Sequence, residues 1–211
     1  MRDPAGAVPR ARDRAAYRRV VDRAARILDQ LAVLAPDADT MRRCEAALAG
    51  VEVALRVLPT LPEDVTAPAH APGNPRFQPA ERGLVPAYAV AESDGGRLSG
   101  QVRFSPRFGG TAAVHGGALS LFFDDALGRV ANAAVTGGVA RTAFLRVDYR
   151  SPAPLEVALS CRVWIERVEG RKGFVRGEMR HGETLTAEAA GLWIAARPYA
   201  FRQPAQGCHA E

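Results

Sequence analysis

In the first part of the chain, hydrophobic positions recur at helical spacing. Over residues 13–34 apolar side chains return at steps of three and four, which predicts an amphipathic helix. These positions are Tyr17, Val20, Val21, Ala24, Ile27, Leu28, Leu31 and Leu34. Pro36 interrupts the pattern, and Asp37 or Asp39 is the predicted N-cap of a second helix with similar spacing. Residues 1–58 are therefore predicted to form a helical hairpin. It packs on the rest of the protein or on a second subunit, or else binds a membrane surface or another partner.

Prolines separate this region from the rest of the chain. Seven of them lie between Pro59 and Pro86, a density that no helix sustains. We therefore expect a linker or an extended surface strap over residues 59–82. Beyond it the hydrophobic spacing changes to two, which predicts strands up to about residue 197 and leaves residues 198–211 as a tail.

Six strands and one helix are predicted within residues 83–197. The strands lie at residues 85–91, 97–104, 143–149, 157–168, 173–180 and 184–195. The helix, at about 116–134, follows the second strand, and its apolar residues cover most of its circumference, so it must be enclosed. Gly95-Gly96 and the Gly170–Gly173 segment mark hairpin turns. This order predicts an α+β domain in which a curled antiparallel sheet wraps around a central helix.

Composition narrows the function classes. Apolar residues make up 47% of the chain, yet no run approaches the roughly 18 apolar residues of a membrane-spanning helix. The N-terminus combines arginines with acidic residues and lacks an apolar stretch, so no secretory signal or transit peptide is predicted and we expect a cytoplasmic protein. The net charge of +5 comes from arginines spread among acidic residues. This disfavours nucleic-acid binding and agrees with a site for a polyanionic ligand.

Cysteines and histidines predict neither a metal site nor a disulfide scaffold. Cys44, Cys161 and Cys208 show no paired spacing, and the four histidines are scattered. Cys161 lies in an apolar, strand-like run and is predicted to be a buried thiol.

The segment His115-Gly116-Gly117 stands directly before the enclosed helix. Glycines at a helix entrance allow close approach, and the first N–H groups of a helix lie unpaired at its positive end. Such groups can polarise a thioester carbonyl and stabilise the oxyanion formed from it. A simple tight turn is the alternative interpretation.

Two neighbouring carboxylates, Asp124 and Asp125, lie inside the same helix. Asp125 has Arg129 four residues further on and is explained by a helix-spaced ion pair. Asp124 has no such partner in the next turn, which makes it a candidate general base or nucleophile. Thr142, at the start of the next strand, has a hydroxyl that could hold a water molecule or orient a carboxylate, although threonine is common in strands.

The helix itself keeps the two features apart. His115 and Asp124 are nine residues apart, which is about 13.5 Å along a helix and on opposite faces. One chain therefore cannot bring Asp124 to its own Gly116-Gly117 entrance. If both act on one substrate, they come from different subunits, and a two-fold dimer then has two such sites.

These residues resemble a known family. The stretch His115-Gly-Gly-Ala-Leu-Ser-Leu-Phe-Phe-Asp124 and the strand from Thr142 to Tyr149-Arg-Ser-Pro152 resemble hotdog thioesterases of the phenylacetate-pathway type and the mammalian thioesterase-superfamily members. The resemblance covers about residues 83–197. It implies a hotdog fold, hydrolysis of acyl-CoA, no cofactor beyond the coenzyme A of the substrate, and a homodimer or a tetramer.

The resemblance also implies roles for single residues. Asp124 matches the carboxylate that activates water or attacks the thioester. Gly116, with Gly117 beside it, matches the glycine whose N–H polarises the carbonyl. His115 matches the histidine that shapes this loop and touches the substrate, and Thr142 matches a hydroxyl that assists the carboxylate of its own subunit.

One position departs from the family pattern. Gly109 stands six residues before the histidine, where members often carry an asparagine that holds the water, and Thr111 is the candidate to replace it. A non-catalytic hotdog protein that binds acyl-CoA or scaffolds a partner is therefore the main alternative. A hotdog dehydratase or hydratase is a further one, since hotdog proteins share architecture and differ at the site.

Coenzyme A needs basic side chains for its phosphates. The candidates are Arg150, followed by Ser151, and the turn residues Arg171 and Lys172, with ordinary solvated turns as the alternative. The candidate residues for lining an acyl pocket are Leu119, Phe122, Phe123 and Phe144.

Overall fold

The strands predicted from the period-two spacing form one antiparallel sheet of six strands. The computed structural model describes residues 11–35, 37–57, 85–135 and 139–195. Its strands are β1 (Tyr88–Ser93), β2 (Arg97–Val102), β3 (Ala140–Tyr149), β4 (Leu159–Glu169), β5 (Lys172–His181) and β6 (Thr184–Ala195). Its helices are α1 (Ala11–Leu31), α2 (Ala38–Arg56) and α3 (Gly116–Ala134), with a 3-10 turn at Pro106–Phe108. The strand order is β1-β2-β4-β5-β6-β3, so β1 and β3 form the edges.

The predicted α+β architecture is confirmed. α3 and β6 have the predicted bounds. β1 begins at Tyr88 rather than at residue 85, and β3 begins at Ala140 rather than at Ala143. The predicted strap over residues 59–82 and the predicted tail over residues 198–211 lie outside the described residues.

α3 lies on the inner face of the sheet and forms the core with it. Its buried residues are Ala118, Leu119, Phe122, Phe123, Ala126, Leu127, Gly128, Val130 and Ala131. Phe122 and Phe123 are fully buried, and each contributes about 1.5–3 kcal/mol relative to an exposed position. Gly177 permits this close packing, since a Cβ there would lie 2.9 Å from Leu127 Cδ1. Cys161 is the buried thiol that was predicted, and burial raises its pKa to about 11.

A β-bulge near Ala143 decides which side chains of β3 face α3. The pairing register with β6 shifts between Thr142 and Phe144. Thr142 pairs with the buried Trp193, whereas Phe144 pairs with Leu192 on the opposite face. Directly paired residues share a face, and the extra residue of a bulge reverses the alternation. Thr142 therefore faces α3, and Phe144 faces away from it.

The two predicted N-terminal helices are present. Asp37 caps α2 by accepting a hydrogen bond from the Thr40 N–H at 2.9 Å, but no residue of α2 is buried. α1 is joined to the sheet domain through Arg107, whose guanidinium donates to the Asp29 carboxylate at 3.0 Å and to the Ala25 carbonyl at 3.1 Å. Most of the exposed large hydrophobic side chains of the described residues lie on these helices and the turn between them. It stays a prediction that these helices pack on a second subunit or bind another partner.

Candidate active site

Asp124 lies on the side of α3 that faces the start of β3. The Thr142 hydroxyl donates a hydrogen bond to Asp124 Oδ1 at 2.8 Å. Asp124 is half-buried, and no other described residue donates a hydrogen bond to its carboxylate or forms an ion pair with it. One carboxylate oxygen is thus fixed by the hydroxyl of the same chain. The other oxygen is available to accept a proton from water or to bond a substrate atom.

Asp125 is held by two partners and has a structural role. The Tyr88 hydroxyl donates to Asp125 Oδ2 at 2.7 Å, and Arg129 Nε donates to the same oxygen at 3.1 Å. The Asp125 side chain is 5% exposed. Burial, reinforced by the charge of Asp125, raises the pKa of Tyr88. The helix-spaced ion pair predicted for Asp125 is confirmed, whereas its contact with Tyr88 has no signal in the spacing.

We expect the Arg129→Met variant to be less stable than the wild type by about 1–3 kcal/mol, because a nearly buried carboxylate loses a charged donor. Arg56→Met is the matched control. Arg56 and Glu52 have the same spacing of four residues, but both side chains are at least 70% exposed, and such pairs contribute less than about 1 kcal/mol. Urea denaturation measures both changes. Equal losses of unfolding free energy would contradict the structural role of the Asp125 pair.

His115 is the N-cap of α3, and its side chain accepts a hydrogen bond from only one of the two glycine N–H groups that follow it. Its backbone has φ −62° and ψ 134°, and its Nδ1 accepts a hydrogen bond from the Gly117 N–H at 3.0 Å. A neutral imidazole that accepts at Nδ1 carries its proton on Nε2. The Gly117 N–H is therefore engaged, while no described residue accepts a hydrogen bond from the Gly116 N–H. Of the two glycines, Gly116 is the one whose N–H is available to a ligand.

Tyr149, the last residue of β3, reaches the same helix entrance. Its hydroxyl donates to the Gly116 carbonyl at 2.9 Å and lies 2.8 Å from Ser120 Oγ. A Cβ on Gly116 would lie 3.1 Å from Tyr149 Cζ, so the ring packs directly on the glycine. Neither Tyr149 nor Ser120 was among the predicted site residues. The alternation that sets Tyr149 on the inner face of β3 is the sequence signal that points to it.

The loop before His115 explains why glycine stands at position 109. The His115 N–H donates to the Phe108 carbonyl at 2.9 Å, and Gly109 forms a β-bridge with Val114. A Cβ on Gly109 would lie 2.9 Å from the Pro106 carbonyl oxygen. A larger residue at this position would have to move the loop, and Thr111 is exposed. Position 109 therefore has no side chain that could hold a water molecule at the helix entrance.

Two of the four residues predicted to line an acyl pocket, Phe123 and Phe144, lie on opposite sides of the sheet. Phe123 is fully buried between α3 and the sheet, where it packs against the Phe122 ring at a centroid distance of 5.4 Å. Phe144 is 52% exposed on the outer face of the sheet, the face that it shares with Arg146. Within one chain Phe123 belongs to the core and Phe144 faces outward, and the pocket role of both rings stays a prediction.

The first of the two groups predicted to bind coenzyme A follows β3. Arg150 Nε donates to the Glu188 carboxylate at 2.7 Å, and this hydrogen bond raises the pKa of Arg150. The Ser151 hydroxyl donates to the Leu185 carbonyl at 2.9 Å. Both side chains lie at the end of the sheet that carries the entrance to α3.

The second group lies at the opposite end of the sheet. Arg171 Nη1 donates to the Ala195 carbonyl at 2.8 Å, and Lys172 is exposed at the start of β5. Leu185 and Ala195 are ten residues apart on β6, which corresponds to about 33 Å of strand. Within one chain the two basic groups therefore do not surround the same phosphate.

One chain presents two separate halves of a site. Gly116 and Asp124 belong to one continuous helix and are eight residues apart, about 12 Å along its axis. Clefts of about 680 and 1010 Å³ are lined mainly by strands β1, β2 and β4, and neither is lined by Asp124 or Gly116. The first half is the Asp124 carboxylate with Thr142, and the second is the helix entrance with its available N–H.

Comparison with known families identifies the sheet domain. Residues 112–188 match the family model described as the thioesterase superfamily. This segment is therefore similar to the thioesterase superfamily, and the sheet that encloses α3 has the hotdog fold. The predicted resemblance is thereby confirmed for the hotdog domain.

Two curated relatives are similar to part of the chain. The acyl-coenzyme A thioesterase THEM4 of Bos taurus is 36% identical over 87 residues, which cover 40% of this chain and 35% of that protein. The protein of the same name from Mus musculus is also 36% identical over 87 residues, covering 40% and 36%. The match thus spans about a third of the length of these relatives.

A solved structure shares the fold beyond the hotdog domain. The crystal structure of a thioesterase superfamily protein aligns with a TM-score of 0.68 at 24% identity, covering 91% of this chain and 97% of that one. The hotdog domain makes up little more than half of the chain, so this overlap extends into the N-terminal region. The likeness shows that the two chains have the same fold.

The described residues contain neither a membrane-spanning helix nor a cluster of metal ligands. None of the described helices is both long and apolar enough to cross a membrane. Within the same residues there is no group of three or more histidine, cysteine or acidic side chains arranged to hold a metal ion.

Proposed function

We propose that this protein hydrolyses acyl-CoA thioesters to a free acid and coenzyme A, in a homodimer whose sites are each shared by two subunits. The observation that carries this proposal is the presence, on one helix, of a carboxylate fixed by Thr142 and of a Gly116 N–H that no described residue engages. The names of the matched relatives, acyl-coenzyme A thioesterases, support the choice of substrate class.

The two halves supply complementary chemistry. The Gly116 N–H lies at the positive end of α3, where it polarises the thioester carbonyl, and His115 Nε2–H adds a second donor. Asp124 removes a proton from a water molecule as that water attacks the carbonyl carbon, or it attacks the carbon itself and water then cleaves the anhydride. The C–S bond breaks and a proton moves to the departing sulfur. Either route consumes one water molecule.

The free edge of β3 supports the shared site. β3 is ten residues long and is paired on one side only, with β6. An uncovered edge of this length is prone to pair with another strand. In an antiparallel pair about a two-fold axis at Arg146, and with the bulge near Ala143 counted as one position, Thr142 lies opposite Tyr149 of the partner subunit. Asp124 is then brought toward Gly116 of the partner subunit.

The same two-fold arrangement brings the separated basic residues together. Arg150 of the partner subunit approaches the end of the sheet that carries Arg171 and Lys172. Guanidinium and ammonium groups bind phosphates, so we assign these three side chains to the phosphates of coenzyme A. Arg150 then exchanges its hydrogen bond with Glu188 for one to a phosphate oxygen.

The test is the release of free thiol from coenzyme A esters of short, medium, long and aryl acids. Turnover of any of these esters that requires Asp124 supports the proposal and defines the acyl class. Sedimentation analysis must also show a dimer or a tetramer, because an active monomer would contradict the shared site.

A second candidate function is a non-catalytic hotdog protein that binds acyl-CoA or scaffolds a partner. Two features favour it. Every described residue of α2 except the half-buried Thr40 is exposed, and position 109 is a glycine. Coenzyme A binding without turnover of the whole panel would select this function over hydrolysis.

A further inference from the structure

A chain of hydrogen bonds crosses the helix entrance from Ser120 to His115. The Tyr149 hydroxyl has one proton, which it donates to the Gly116 carbonyl at 2.9 Å, so the Ser120 hydroxyl at 2.8 Å is the donor to Tyr149. The next link is the peptide unit that joins Gly116 to Gly117. The N–H of this unit donates to His115 Nδ1 at 3.0 Å. Linked hydrogen bonds polarise one another, so each donor strengthens the next bond.

Tyr149 contacts the entrance on two sides and contributes little to the core. It is 54% exposed at the end of β3, whereas the aromatic rings under the sheet, such as Phe122, are fully buried. Its hydroxyl bonds the Gly116 carbonyl, and its ring carbon Cζ would lie 3.1 Å from a Cβ at the same residue. Loss of these contacts should therefore change the conformation of Gly116 more than it changes the stability of the sheet.

We propose that Tyr149 is a positioning residue for the donors of the site. It fixes the peptide unit between Gly116 and Gly117, and thereby the Nε2–H tautomer of His115. Because this unit sets the ψ angle of Gly116, it also restrains the backbone that carries the Gly116 N–H in the preceding peptide unit. The effect on turnover rests on the proposed thioesterase function. The effect on the imidazole of His115 does not need turnover and is observable in the protein without substrate.

The first test is the Tyr149→Phe variant, which loses the hydroxyl and retains the ring. We expect kcat on the best acyl-CoA substrate to fall about tenfold with little change in KM, because a misdirected donor weakens the interaction that matters in the transition state. Ser120→Ala removes the outer link and is expected to lower kcat by a smaller factor. Tyr17→Phe, at an exposed tyrosine of α1, is the matched control and retains the wild-type kcat.

The second test reads the His115 tautomer by heteronuclear NMR of its ring nitrogens, assigned with a His115→Gln variant. We expect the Nε2–H form in the wild type and a mixture of tautomers in Tyr149→Phe. An unchanged kcat together with an unchanged tautomer would overturn the proposal. If the wild type releases no thiol from any acyl-CoA while Tyr149→Phe still shifts the tautomer, the proposed hydrolysis fails and the positioning role of Tyr149 is supported.

Discussion

Replacement of Asp124 by asparagine is expected to lower kcat for acyl-CoA hydrolysis by about 10²-fold or more, the usual contribution of a general base. Asparagine has nearly the same shape as aspartate, and its oxygen still accepts the hydrogen bond that the Thr142 hydroxyl donates to Oδ1. The geometry of the half-site is therefore retained, while the negative charge that takes a proton or attacks the thioester is lost. Thiol release under saturating substrate measures the effect.

Asp148→Asn is the matched control for this variant. Asp148 lies on β3, and its carboxylate accepts hydrogen bonds from the exposed Arg146 on the face away from α3. Exposed ion pairs of this kind contribute little, so we expect kcat and stability close to those of the wild type. If Asp124→Asn were as active as Asp148→Asn, the carboxylate of Asp124 would have no part in the reaction, and its proposed role as base or nucleophile would be wrong.

Features that depend on neighbouring residues were predictable from the sequence. The apolar positions and the glycine pair define α3 over residues 116–134, and the structure has the same bounds. The alternation along β3 sets Phe144 on the same face as Arg146, away from α3. The structure agrees with this alternation.

Thr142 shows what alternation alone does not reveal. Counting by twos along β3 sets Thr142 on the face of Phe144, but the bulge near Ala143 returns it to the inner face, where it meets Asp124. A bulge depends on how a strand pairs with its neighbour, and the spacing within one strand carries no record of it. The family resemblance, rather than the periodicity, indicated the contact between Thr142 and Asp124.

Long-range contacts account for the rest of what was not predicted. Tyr88 reaches Asp125 across 37 residues, and Arg107 reaches Asp29 across 78. The separation of Arg150 from Arg171 likewise follows from the position of β3 beside β6 at the edge of the sheet. Hydrophobic periods define the elements and their faces, but they do not specify strand order or where a helix docks.

The Gly116→Pro variant is expected to lower kcat by about 10²–10³-fold, the usual effect of losing one donor to an oxyanion. Proline is well tolerated at the first position of a helix, where its missing N–H breaks no helical bond. The extended backbone of His115, with ψ 134°, is also compatible with a following proline. Gly116→Ala is the matched control, because it adds a similar contact with Tyr149 but keeps the N–H. The difference in kcat between the two variants measures the N–H.

Mixing the two inactive chains tests whether the site is shared. A dimer of one Asp124→Asn chain and one Gly116→Pro chain has one site in which the intact carboxylate of the second chain meets the intact glycine of the first. Its other site carries both substitutions. The heterodimer, purified through two different affinity tags after co-expression, should therefore have about half the wild-type activity, as expected for one of two symmetric sites.

The outcome separates the two possible geometries without a structure of the dimer. If Asp124 and Gly116 of the same chain formed the site, both chains of the heterodimer would be defective, and its activity would equal that of the parent homodimers. Recovery of about half the activity requires that the roughly 12 Å between these residues along α3 is bridged by a second subunit. The free edge of β3 is then the interface to test next. The Arg150 N–H donates to the Thr186 carbonyl, so the alternation of an antiparallel pair sets the Val147 N–H on the free edge. A proline introduced at Val147 should therefore dissociate the dimer and abolish turnover together.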